Sequence, residues 1–239
     1  MIQNRHGIME LIVRDVSALL KVSEKTVYRW ISQRKLPAHR INEQYRFNRT
    51  ELLEWATANR IPVSTDILKE EHPESLPGLA DALWTGGIFY RVEGSNKTAV
   101  LTEVVRIISL PDAVDRKFLL EVLLARESLG STGVGDGVAI PHVRNPIVLH
   151  VQHPMVALCF LEHPIDFQAI DGRPVDTLFT IVSPTVRAHL HLLARLSFAL
   201  QQPDFKAAIT KKSLREELFK TASEIDLRIE NAQSKRRGN

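Results

Sequence analysis

Three glycines at alternate positions, Gly133, Gly135 and Gly137, lead into a short apolar run, Val138-Ala139-Ile140, and then into a Pro141-His142 pair. Alternating glycines let a backbone approach a ligand closely and adopt dihedrals that other residues avoid. The apolar run reads as a short buried strand that Pro141 closes, leaving His142 at a strand end beside a stiff neighbour. Strand ends are where scaffolds present reactive groups. A neutral imidazole, with a reference pKa of about 6.5, is already a nucleophile near pH 7 and needs no general base, only an outward-facing ring nitrogen. The bland alternative is a surface or hydrogen-bonded structural histidine. No Lys-Ser/Thr pair follows Gly137, so the run is not a nucleotide-binding Walker loop. It also enters a strand rather than a helix, which fails the dinucleotide pattern.

Other histidines sort by position. His189 and His191 stand two apart in a helical pattern, about 200° from one another around the axis, and cannot share a site. His189 shares its face with Leu192, Leu193 and Leu196 and is the partly buried one; His191 lies nearer Arg195 and is expected in solvent. His150-x-x-His153 has metal-like spacing but no accompanying Cys or carboxylate cluster, so no metal site is assigned.

The elements that must hold His142 alternate between helix and strand. Helical spacing marks 97–110, 116–127, 188–200 and 214–221, and strand patterns fall at 138–140, 156–161 and 176–182. Interleaved strands and helices imply an α/β layered domain. Among 239 residues, 44% are hydrophobic and 25% charged, as in ordinary globular proteins. No apolar run approaches the roughly 20 residues of a membrane span, and no secretory signal is recognisable, so membrane insertion is not expected. With a single cysteine, Cys159, no internal disulfide can form, and the cytoplasm is the default location.

The stretch Glu127-Ser128-Leu129-Gly130-Ser131-Thr132-Gly133 and then Val134 to His142 resembles the signature of phosphotransferase-system enzyme IIA domains of the fructose/mannitol and nitrogen-regulatory type. The resemblance extends over about 76–225, including IDFQAIDGRPVDTLFT at 165–180. It implies a mixed sheet flanked by helices, and a phosphoryl group carried on His142, delivered by a histidine phosphocarrier protein (HPr or a nitrogen-branch analogue) without a cofactor. It further implies supporting roles for His189, as a hydrogen-bond donor, and for Arg126, as positive charge. Backbone N–H groups of Gly135, Asp136 and Gly137 are expected to cradle the phosphoryl group, and a backbone carbonyl to hold the second ring nitrogen of His142. Two departures are Asp136, where Asn is common, and Val143-Arg144, where Gly-Arg or Gly-Lys is usual.

Upstream, the first sixty residues hold eleven Lys or Arg against six Asp or Glu. Val16, Leu19 and Leu20 share one helical face, Ser23 suits the N-cap of a second helix, and Val27, Trp30 and Ile31 face inward on it. Residues 38–47 alternate like a small wing, and a third helix follows with Leu52, Leu53 and Trp55 apolar. The string VSEKTVYRWISQRKLPAHRI…YRF resembles the excisionase/MerR-like winged helix-turn-helix domain, which implies double-stranded DNA as a partner. Lys25, Thr26, Tyr28 and Arg29 would meet base edges; Arg40, Gln44 and Arg46 would meet phosphates from the wing. Such modules often bind in multiples, which is compatible with a homodimer.

The expected organisation is a helix-turn-helix domain at 1–60, a Pro-rich acidic linker at 61–77, a IIA-like domain at 78–225 and a disordered basic tail at 226–239. A linker of about 17 residues would hold the domains roughly 20–25 Å apart. The expected function is a phosphorylation-responsive transcriptional regulator. The alternatives are a IIA component of sugar uptake relaying phosphoryl to a separate IIB protein, and a transcription factor whose IIA fold is only an interaction module.

Overall fold

The computed structural model describes residues 10–41, 44–63, 76–112, 114–143, 151 and 153–237. The N-terminal module opens with strand β1 (Glu10–Leu11) and helices α1 (Val13–Leu19) and α2 (Glu24–Ser32). The Ser23 hydroxyl caps α2 by accepting from the Thr26 N–H at 3.2 Å, a cap whose loss costs about 1 kcal/mol. Strands β2 (His39–Ile41) and β3 (Gln44–Asn48) form the wing; β1 adds to β3, giving a sheet of order β1-β3-β2. Helix α3 (Arg49–Ala58) closes the module over Leu52, Leu53 and Ala56.

The second domain begins with α4 (Leu79–Gly86), whose end presses so closely on β7 (Met155–Ile165) that any side chain at Gly86 would strike the Val156 backbone. After β4 (Ile88–Val92) come α5 (Lys97–Ile107), α6 (Arg116–Ser128) and the hairpin of β5 (Gly133–Gly135) and β6 (Val138–Ala139). Strand β8 (Val175–Val182) and helices α7 (Val186–Ala199), α8 (Pro203–Thr210) and α9 (Arg215–Arg237) complete it. The sheet is five-stranded in the order β4-β7-β8-β6-β5, with parallel and antiparallel neighbours mixed.

Strand alternation decides which helix covers which face. Val156, Leu158 and Phe160 of β7 point toward α4, α7, α8 and α9, while Ala157, Cys159 and Leu161 point toward α5 and α6. The result is a helix–sheet–helix sandwich. The first of these apolar layers does not stop at the domain edge. It runs through Leu192 and Leu193 of α7 into Leu52, Leu53 and Ala56 of α3, so the two domains share one hydrophobic cluster.

That packing departs from the separated domains expected of the linker: α3 lies against α7, where the Thr57 and Ser197 hydroxyls meet. Most of the linker, 64–75 with His72, lies outside the described residues. The basic tail also differs from expectation. Helix α9 continues to Arg237, because Ile225 and Ile229 extend its apolar stripe and are fully buried. Among the described residues, no helix is long and apolar enough to cross a membrane.

Candidate functional site

His142 follows β6 and is zipped against β8: it bridges Ile181, whose N–H donates to the Pro141 carbonyl at 3.0 Å. The ring is only 3% exposed. Its Nδ1 stands 2.7 Å from the Ile140 carbonyl oxygen, which can only accept, so Nδ1 carries the proton and Nε2 is the nitrogen with chemistry to offer. The strand that ends at Ile140 therefore fixes both the position and the tautomer.

Two expected partners converge on this ring. His189, on the first turn of α7, stacks beside it with ring centroids 5.1 Å apart. Neither nitrogen of His189 has a hydrogen-bond partner, and burial, reinforced by the neighbouring His142, pushes its pKa down to about 3. It is a neutral imidazole with an unused N–H. Arg126, on the last turn of α6, donates from Nη1 to the Gly130 carbonyl at 2.9 Å, which aims the guanidinium at the His142 side of the loop.

The third neighbour comes from the other domain. The Glu54 carboxylate of α3 reaches His142 Nε2 with one oxygen at 2.9 Å and Arg126 Nη2 with the other at 2.8 Å. Nothing in the sequence marked Glu54: on a short amphipathic helix an acidic residue reads as solvated, and its partners lie 72 and 88 positions away.

Gly135, Asp136 and Gly137 are placed elsewhere. Gly135, Asp136 and Gly137 all have positive φ (87°, 53° and 76°), and the last two turn the β5–β6 hairpin. Asp-Gly between pairing strands is a hairpin signal with a backbone twist that matches such turns. The turn lines a separate cavity of about 690 Å³ between the domains, whereas the small pocket at His142 is lined by Glu54, Arg126, Ser131 and Thr132. The Asp136 N–H donates to Asp171 Oδ2 at 2.9 Å. Arg60, just past α3, lies over Gly135 and pairs with Asp136 at 3.0 Å and Asp171 at 2.8 Å. Lys206 foremost, then Arg60 and Arg173, hold the Asp136 carboxyl below its ordinary value.

The loop between α6 and β5 is anchored by Glu127, a buried carboxylate that accepts from the Thr132 N–H and hydroxyl and pairs with Lys97 at 3.2 Å. His191 corrects an expectation: it is buried, with the Pro77 carbonyl and Arg195 Nε each 2.9 Å from its Nε2. The helix α9 covers the side of α7 that the sequence pattern had left open. His153 is described, but its potential partner His150 lies outside the described residues; among the described residues no His, Cys, Asp and Glu group could hold a metal.

In the N-terminal module Lys25, Tyr28 and Arg29 are exposed on α2, opposite the fully buried Val27. Thr26 is half-buried and its hydroxyl meets that of Ser23 at 3.0 Å, so it serves the helix cap. Gln44 and Arg46 sit together on β3, joined by a 2.9 Å hydrogen bond, while the Arg40 side chain lies outside the described residues.

Comparison with known proteins gives two family matches: the sugar phosphotransferase system EIIA 2 model over residues 84–224, and a helix-turn-helix domain over residues 11–60. A nitrogen regulatory protein of Pseudomonas aeruginosa is 34% identical over 151 residues, covering 62% of this chain and 96% of that protein. A fructose-specific EIIABC component of Bacillus subtilis is 31% identical over 118 residues, 48% of this chain and 18% of that protein. Among solved structures, a IIA domain of Streptococcus pyogenes superposes with a TM-score of 0.51 at 21% identity, over 62% of this chain and 96% of that one.

Proposed function

Because the chain belongs to the EIIA type 2 family of the phosphoenolpyruvate-dependent sugar phosphotransferase system, joined to a helix-turn-helix domain, we propose that it is a phosphoryl-accepting transcriptional regulator of the nitrogen-regulatory kind. The observation that carries the reading is the tautomer of His142: with Nδ1–H tied to the Ile140 carbonyl, Nε2 is the attacking atom. Its lone pair forms the new N–P bond to a phosphohistidine on a phosphocarrier protein. The old N–P bond breaks toward the donor ring, which leaves as neutral imidazole. Phosphoryl transfer asks the protein mainly for alignment and charge neutralisation. The arriving group adds about −1.5 to −2 charge. Arg126 supplies positive charge beside it, and the unused N–H of His189 supplies a donor in a site too dry for water to compete. The glycine turn at 135–137, which lies at the separate cavity, contributes through the shape of the hairpin that leads to His142.

The N-terminal module gives the output. Lys25, Tyr28 and Arg29 stay exposed on one face of α2 while α3 is engaged with the second domain, and that face suits the major groove of duplex DNA. A DNA-reading module on the chain favours regulation over simple relay to a IIB protein.

Incubation with phosphoenolpyruvate, enzyme I and a phosphocarrier, followed by mapping, tests the acceptor. One acid-labile, alkali-stable label on His142 is expected, with none on His142→Ala. His189→Ala should slow labelling without moving it. Full labelling of the His142→Ala protein would overturn the assignment.

A further inference from the structure

The acceptor nitrogen is occupied from within the chain. Glu54 Oε1 lies 2.9 Å from His142 Nε2 and Oε2 lies 2.8 Å from Arg126 Nη2, both in a largely buried setting. A carboxylate bridging an imidazole nitrogen and a guanidinium holds the place that the oxygens of a phosphoryl group on Nε2 would take. Nδ1 is tied to the Ile140 carbonyl, so Nε2 is the ring nitrogen left for phosphorus, and the carboxylate oxygen lies directly on it.

A second anchor lies on the same side of the module. Arg60 reaches Asp136 and Asp171 at 3.0 and 2.8 Å, and the Thr57 hydroxyl meets that of Ser197 between them. We propose that the helix-turn-helix module is an intramolecular plug for the phosphoryl site, with Glu54 as a phosphoryl mimic, and that phosphorylation of His142 and docking of α3 exclude one another. The inference rests on His142 as acceptor but concerns a different residue and domain.

The exclusion follows from volume and charge. Phosphorus bonded to Nε2 fills the space that the Glu54 oxygen occupies, and a group of about −1.5 to −2 charge repels the carboxylate while taking Arg126 for itself. Docking therefore works in two directions. It shields His142, at 3% exposure, from a protein donor, and it is undone once the transfer has occurred. Phosphorylation in this scheme releases the DNA-binding module, and does so without touching α2.

The test uses the full-length chain and two variants that repel at different anchors, Glu54→Lys against Arg126 and Arg60→Glu against Asp136 and Asp171. In the unphosphorylated protein, modification of His142 by diethyl pyrocarbonate, read by peptide mass, should be at least about tenfold faster in both variants than in wild type. Small-angle scattering should give a larger radius of gyration for the variants and for phosphorylated wild type than for unmodified wild type. Equal modification rates and unchanged radii would overturn the plug even if label still maps to His142. Faster modification of the variants together with label on another residue would overturn the acceptor assignment instead, leaving the docking contact standing and its link to phosphorylation refuted.

Discussion

At the scale of single residues, the site is built from groups held away from their ordinary charge states or partners. His189 is the clearest case. Fully buried, with its pKa pushed down to about 3, it is neutral in the folded chain where an unfolded histidine would be half-protonated near pH 6.5. The unfolded state thus binds the extra proton between about pH 6.5 and 3, and folding stability falls as pH drops through that window. The slope reaches at most about 1.4 kcal/mol per pH unit for one such group, and His191, pushed down to about 4 mainly by burial, adds a second. Replacing His189 with Asn should flatten the pH dependence of urea unfolding by close to one proton between pH 6.5 and 4. An unchanged slope would mean that His189 takes up its proton in the folded state. The place of His142 at a strand end was legible from the proline that closes the strand; Glu54 was not, because its meaning depends on a contact 88 positions away that no local pattern encodes.

At the scale of elements, local chemistry was a dependable guide wherever an element carried its own signals. The Ser23 cap, the period of α6 and the apolar runs of β7 and β8 all appear in the sequence and in the structure. The Gly135–Gly137 turn was misleading, since glycines that loosen a backbone for a ligand and glycines that turn a hairpin look alike until the strands on either side are seen to pair. Helix α2 and strand β3 should differ in what they read. Arg29→Ala should weaken binding to a selected operator by roughly 1–3 kcal/mol and relax sequence preference, as expected for a base contact. Arg46→Ala should weaken binding to all duplexes alike and lower the salt slope by about one. Electrophoretic titration on operator and scrambled DNA at several salt concentrations separates the two. Equal losses on both DNAs for Arg29→Ala would remove α2 as the reading helix.

At the scale of the whole molecule, distant pieces of chain are fastened by a few buried polar groups. Asp226 of α9 accepts from the Leu79 and Ala80 N–H groups at the start of α4, each at 2.9 Å, and pairs with Arg195 of α7 at 2.5 Å. A side chain at Gly78 would collide with it. Asp226→Ala leaves a buried guanidinium and two helix N–H groups unsatisfied, so a loss of about 3–5 kcal/mol in urea unfolding is expected. A loss below about 1 kcal/mol would show that water replaces the carboxylate. The sequence offered no route to this clasp, because the region holding Asp226 reads as a charged tail until α4 and α7 are in place beside it.

The same clasp sets the terms on which Glu54 meets His142. His191 holds the Pro77 carbonyl and Asp226 holds the next turn, so the segment between Val63 and Leu76 starts and ends on fixed points of one molecule. Glu54 is therefore presented to His142 at an effective concentration on the order of millimolar, set by the covalent connection and independent of how much protein the cell makes. Dilution leaves the plugged fraction unchanged. In the proposed scheme an incoming phosphocarrier competes with a ligand that never diffuses away, so the rate of charging is independent of the concentration of this chain.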